Sequence, residues 1–213
     1  MEVFLSGASP KASQKRQRMT TDQRREAILK AGLDVFAAEG FNAAKLDTVA
    51  LRAGVAKGTI YVHFKDKQDL FEQIILEAVS PIITRLESIT DLPEVPTAVL
   101  LATVYQDFQT DILETEKKHI ICLVLKEGAN FPAIATFYHR EVITKVTALL
   151  NTVIERALIR GEALSPAVRN FPHLIIAPLI LSLIWDDLFA EIDPLDVGAL
   201  LEAHQKLLMP DSG

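Results

Sequence analysis

The chain has 213 residues, 49% hydrophobic and 23% charged, with a net charge of −6. That balance provides for a packed core and excludes global disorder and a collagen-like repeat, and the 7% aromatic content beside abundant Ala, Leu and Ile favours helices over a β-sandwich. The single cysteine, Cys122, can form neither an intrachain disulfide nor a cysteine-based zinc site. No secretory leader is expected, because the basic run follows the short apolar start instead of preceding it. The longest apolar stretch, Leu174 to Trp185, is too short to cross a bilayer and is interrupted by Pro178 and Ser182. The expectation is a soluble, cytoplasmic protein with no membrane partner.

Charge divides unevenly. Residues 1–67 hold 12 Lys/Arg and 7 Asp/Glu, a net of +5, whereas residues 68–213 hold 10 and 21, a net of −11. A cationic end on an acidic body suits contact with a polyanion through one end only. Residues 1–18 read as a disordered basic arm, with Lys11, Lys15, Arg16 and Arg18 among Ser, Gly and Pro.

In chain order, Thr21 or Asp22 is expected to cap a first helix whose apolar stripe is Ile28, Ala31, Gly32, Val35 and Phe36, stopped by Gly40. Short helices are expected at Leu46 to Ala53 and Lys57 to Phe64, separated at Gly54-Val55. A longer helix capped by Asp66 runs past Val79, with Pro81 as a kink, toward Ile89. Asp91 to Pro96 reads as a turn. Further helices are expected at Thr97 to Thr115, Lys117 to Gly128, Pro132 to Arg160, Pro166 to Phe189 and Pro194 to Met209. The fold class is all-α: an N-terminal three-helix helix-turn-helix module (residues 19–66) and a C-terminal helical bundle (residues 67–213).

Two helices of about eight residues joined by a tight turn cannot bury enough surface alone, so both must pack on the first helix. This is the helix-turn-helix shape, whose second short helix enters the DNA major groove. Ile60 and Phe64 would anchor its inner face. Lys57, Thr59, Tyr61, Val62 and His63 would face outward, with Gly58 permitting close backbone approach.

These residues carry a specific resemblance. Ile28-Leu29, Phe36, Gly40-Phe41, Val49-Ala50, Ala53-Gly54-Val55, the run Lys57 to Phe64, Lys67 and Leu70-Phe71 together resemble the TetR family of bacterial transcription regulators, across roughly residues 22 to 71. The resemblance implies a bacterial, nucleoid-associated regulator of double-stranded DNA, most simply a repressor that binds a palindromic operator as a homodimer and is released by a small-molecule effector. It implies phosphate contact by Thr59 and Lys67, backbone or base contact by Tyr61 and His63, and sequence discrimination at Lys57, Gly58 and Val62. Lys45 stands where the family often has a hydroxyl cap, and its ammonium can still meet phosphate. Ala56 likewise replaces a frequent Ser, and Val62 a frequent aromatic, so operator preference does not transfer from relatives.

Phe131-Pro132 and Phe137-Tyr138 are similar to the C-terminal domain of AefR-like members. Candidate effector-pocket residues are Tyr105, Phe108, His119, Cys122, Phe137, Tyr138 and Trp185, bulky or polarisable groups on separate helices. Leu174 to Trp185, with Leu195, Leu200, Leu207 and Leu208, is expected to form the dimer face. No cofactor or metal is implied. No phosphate loop, nucleophile elbow or paired-histidine motif suggests an enzyme. A DNA-binding scaffold of the same fold without an effector is the alternative.

Overall fold

The computed structural model describes residues 19–90 and 94–210. The basic arm at residues 1–18 and the start of the expected turn at residues 91–93 lie outside the described residues. Among those described there are helices and no strands. One long and two short helices form the head: α1 (Thr21–Ala43), α2 (Leu46–Ala53) and α3 (Lys57–His63). α4 (Lys67–Thr90) leads into the body, which holds α5 (Thr97–Phe108), α6 (Lys118–Glu127), α7 (Pro132–Tyr138), α8 (Thr144–Ile159), α9 (Pro166–Asn170), α10 (His173–Phe189) and α11 (Val197–Leu208). No described helix is long and apolar enough to cross a membrane.

Local chemistry sets the element ends. The first helix is capped one residue earlier than expected: Thr20 Oγ1 accepts from the Gln23 amide and Gln23 Oε1 accepts from the Thr20 amide, a reciprocal capping box. Gly40 has φ +76°, as expected of a left-handed stop, but a last turn through Ala43 follows the kink. Gly54 has φ +67°, and the Val55 amide reaches back to the Ala50 carbonyl, closing α2. Asp66 Oδ1 accepts from the Asp69 amide at the start of α4. Pro81 lies inside α4 without ending it.

Two expected helices are more broken than their sequence suggests. The Thr97 helix passes from α5 into a π-helical segment, Gln109–Leu113. The Pro132 helix contains another, His139–Ile143, between α7 and α8. The Pro166 helix divides into α9 and α10, with Phe171-Pro172 at the break.

The head core is built from the anticipated stripe. Ile28, Val35, Phe36, Val49, Ile60, Phe64, Leu70 and Phe71 are all almost inaccessible. Phe36 meets Phe71 edge-on at 5.3 Å, Phe41 meets Phe71 at 5.3 Å, and Phe41 meets Phe131 edge-on at 4.9 Å. This core therefore runs from the head through α4 to Ile120, Leu123, Val124, Ile134 and Phe137. Packing continues unbroken past residue 66. A second cluster joins α5, α8, α10 and α11 around Leu101, Tyr105, Leu150, Ile175 and Leu201.

Phe36 is wholly buried and touches two other rings. Phe36→Ala is expected to cost about 3–5 kcal/mol of unfolding free energy. Urea denaturation followed by circular dichroism measures it; an unchanged midpoint would contradict the packing described.

Candidate nucleic-acid interface and body cavity

α3 presents two chemically different sides. Ile60 and Phe64 are 0% and 2% exposed and fix the helix to the head core. Arg25 lies over the Phe64 ring at 5.6 Å and donates to Gln73 Oε1 on α4, bracing the same contact. On the other side Lys57 and Gly58 are exposed, Tyr61 is 53% and Val62 77% exposed, and Thr59 and His63 are half-buried. No atom lies within 4 Å of the place a Gly58 side chain would take, so the backbone there is open to close approach.

Lys57 Nζ is held 2.9 Å from Asp47 Oδ2, and this carboxylate raises the pKa of the ammonium. Asp47 thus ties the start of α3 to the start of α2 in addition to complementing the α2 dipole. The pair is solvent-exposed and weak, so Lys57 can exchange it for another anion. Lys45 is exposed at the start of α2 and makes no side-chain cap. The exposed Lys65, immediately after α3, adds a cation that the motif reading passed over.

Lys67 differs from expectation. Its Nζ donates to the carbonyls of Phe41 at 2.7 Å, Asn42 at 3.0 Å and Ala44 at 3.1 Å, and sits 4.7 Å from the centre of the Phe41 ring. An ammonium has three donors, and all three are occupied. Burial pushes its pKa down. The side chain therefore closes the C-terminal end of α1, where orphan carbonyls and the helix dipole favour a cation, and is not presented to a phosphate. The sequence carried one hint: a lysine in the first turn of its own helix opposes that helix's dipole and so wants a partner elsewhere.

The body contains a cavity of about 130 Å³ between α4, α5, α6, α8 and α10. Its wall is largely branched aliphatic, including Ile83, Leu86, Val142, Val146 and Leu179. Of the expected pocket residues, Phe108 and Tyr138 line it. The other five do not. Tyr105 is buried in the α5–α11 core, with its hydroxyl 3.1 Å from the Ile175 carbonyl and 2.7 Å from His204 Nδ1. Cys122 is buried in a separate cluster with Ile112 and Leu183. Phe137 is buried in the shared core under Arg140. His119 is half-buried beside Glu116. Trp185 donates to the Asp193 carbonyl at 2.6 Å and meets Phe189. Aromatic and polarisable residues were a poor guide because this wall is made of the residue types that also fill cores.

On the expected dimer face, Leu181 and Ile184 of α10 and Leu207 of α11 are exposed, Leu200 is half-buried and Leu208 is buried; Leu188, one turn beyond the expected stretch of α10, is exposed as well. Leu195 precedes α11.

Comparison with known proteins agrees with this geometry. Residues 28–74 match the family described as bacterial regulatory proteins, tetR family. The chain is 27% identical over 187 residues to the uncharacterized HTH-type transcriptional regulator YhgD of Bacillus subtilis, covering 85% of this chain and 94% of that protein. It is 43% identical over 67 residues to the HTH-type transcriptional repressor BepR of Brucella suis, 32% of each chain. The fold is similar to that of the transcriptional regulator FadR from Bacillus subtilis in complex with stearoyl-CoA, with a TM-score of 0.71, 21% identity, and coverage of 87% of this chain and 97% of that one. It is also similar to NalD, the secondary repressor of the MexAB-OprM multidrug efflux pump in Pseudomonas aeruginosa, with a TM-score of 0.70, 22% identity, and coverage of 90% and 100%.

The role given to Lys67 can be measured without nucleic acid. Lys67→Met keeps the chain length but removes three charge-assisted bonds, and is expected to cost about 1–3 kcal/mol of stability. Lys45→Met should stay within about 0.5 kcal/mol of the parent, as exposed sites do. Equal thermal melts for the two variants would contradict the closure of α1 by Lys67.

Proposed function

We propose that this chain, a member of the TetR family of bacterial transcriptional regulators, represses transcription as a homodimer that places two copies of α3 in successive major grooves of a palindromic operator and lets go when a small molecule enters the body. The observation that carries the reading is the division of α3: Ile60 and Phe64 are sealed in the head, while Lys57, Gly58, Tyr61 and Val62 stand outward. A hydroxyl, an ammonium and a phenol on one turn and a half of helix supply donors for phosphates and base edges. Thr59 and His63, half-exposed beside them, extend that surface, and Lys45 with Lys65 adds charge at its margins.

Dimerisation supplies the second recognition helix, about one DNA turn from the first. Leu181, Ile184 and Leu188 recur at helical spacing on α10 and are 39–56% exposed, with Leu207 of α11 74% exposed. An apolar stripe of this kind on a long helix favours burial against its own copy in a four-helix arrangement. Relatives named as repressors, BepR and NalD, support the negative sign of control. The stearoyl-CoA held by FadR supports a ligand-responsive body.

α4 connects the two functions. Leu70 and Phe71 lie in the head core, while Ile82, Ile83, Leu86 and Ile89 of the same helix wall the cavity. A ligand that favours one packing of this wall shifts α4 and with it the spacing of the two heads. It acts only through its differential affinity for the two shapes, and bound operator opposes ligand to the same extent. A coupling of about 1–3 kcal/mol corresponds to roughly 5–150-fold in DNA affinity. No catalytic step belongs to this reading.

Two measurements test it. Fluorescence anisotropy with a duplex should give an affinity that falls steeply as salt rises, as counterion release requires. Changing Thr59 and Tyr61 together to Ala should weaken binding by at least about tenfold, the equivalent of roughly 1.4 kcal/mol, with the helical content unchanged. A flat salt response, or undiminished binding by the double variant, would overturn the assignment of α3. By sedimentation velocity the parent should be a dimer, and Ile184→Glu with Leu188→Glu a folded monomer; a dimeric double variant would move the interface elsewhere.

A further inference from the structure

The body cavity has a wall that specifies the chemistry of its occupant. Apart from Thr90, Thr103 and Tyr138, every lining side chain is apolar, and none is charged. Both threonine hydroxyls commit their donors to their own helices: Thr90 Oγ1 donates to the Leu86 carbonyl at 2.7 Å and Thr103 Oγ1 to the Val99 carbonyl at 2.9 Å. Tyr138 is half-buried and its hydroxyl makes no hydrogen bond to the described residues; burial pushes its pKa up to about 12, so it is a neutral phenol throughout the physiological range. A phenol hydroxyl with an uncommitted donor beside an apolar wall is available to a bound molecule.

The backbone marks the same place. Phe108 and Tyr138, the two aromatic wall residues, are each the last residue before a π-helical segment, and Ile112, Val142 and Ile143 inside those segments also line the cavity. Single-turn π segments are rare and concentrate at functional sites, where they re-aim side chains. Two of them converging on one cavity set it apart from a packing flaw.

We propose that this cavity binds a compact, electrically neutral, mostly apolar molecule about the size of a single ring, bearing one hydrogen-bonding group that engages the Tyr138 hydroxyl. The inference rests on the body being an effector domain and names the class of effector. Size follows from the volume of about 130 Å³, close to the roughly 150 Å³ of an apolar cavity that accepts benzene. Neutrality follows from the wall: an ionised carboxylate or ammonium would give up its hydration with no counter-charge to replace it. The single polar group follows from Tyr138, the one wall side chain whose donor is uncommitted.

The test uses three probes of one shape, toluene, benzyl alcohol and benzoate, titrated calorimetrically into the full chain. Benzyl alcohol should bind about 2–10-fold more tightly than toluene, the range of one net hydrogen bond, and benzoate should not bind. Tyr138→Phe keeps the ring and should leave toluene affinity unchanged while erasing the preference for the alcohol. Ile180→Phe, which fills the cavity from the α10 side, should abolish binding of all three with the thermal melt retained. Benzoate binding as tightly as benzyl alcohol, a preference that survives Tyr138→Phe, or no binding by any probe to folded protein would overturn the proposal. Duplex binding by the same preparation is measured separately. Its loss would refute the DNA-binding reading while leaving the probe ranking to stand or fall by itself.

Discussion

Phe71 packs edge-on against Phe36 at 5.3 Å and also meets Phe41, whose other side rests on Phe131 in the body. This aromatic chain is the contact on which the remaining architecture depends. α3 is too short to hold itself, so its outward residues have a fixed direction only because Ile60 and Phe64 are clamped into the core that Phe36 and Phe71 build. The same core passes into α6 and α7, so the head is a continuation of the body's packing. Under the proposed function, that continuous packing is the route by which a ligand in the body would act on the head, because closely packed side chains have few intermediate arrangements.

Electrostatics sharpens what packing sets up. By sequence, the first 67 residues carry a net +5 and the rest a net −11, an asymmetry that favours approach of a polyanion by the amino-terminal part of the chain. Within the head the cations divide their work. Lys67 is consumed in closing α1, and Arg25 braces α3 against α4. Lys57 is held only by an exposed pair with Asp47, which leaves it exchangeable. Charge count alone does not separate these roles; the number of donors already occupied does.

Much of the head was legible in the sequence. Gly40 and Gly54 mark positive-φ positions where only glycine is unstrained, and the α1 stripe at helical spacing is buried as its periodicity demands. Capping chemistry placed the α4 start at Asp66. The destination of Lys67 was hidden, because the three carbonyls it meets converge only after α1 kinks at Gly40. The cavity was hidden for a different reason. Ile83, Leu86 and Val146 line a void, Ile74 and Ile154 fill packed clusters, and nothing in residue type separates the two outcomes. The π-helical segments left no trace either, since an extra residue in one turn barely disturbs a helical hydrophobic pattern over a long segment. On the outer surface, Leu207 and Leu208 are adjacent and equally apolar, yet only Leu207 faces out; that difference is a matter of helix phase and is fixed by where α11 begins.

The central claim is that the outward side of α3 meets double-stranded DNA. Amide chemical-shift mapping of the full chain during titration with a duplex addresses it residue by residue. The account predicts that the largest perturbations fall on Lys57 to His63 and their neighbours at the starts of α2 and α4, with the α8 amides undisturbed. Unmoved α3 amides at saturating duplex, or perturbations confined to the acidic body, would contradict it.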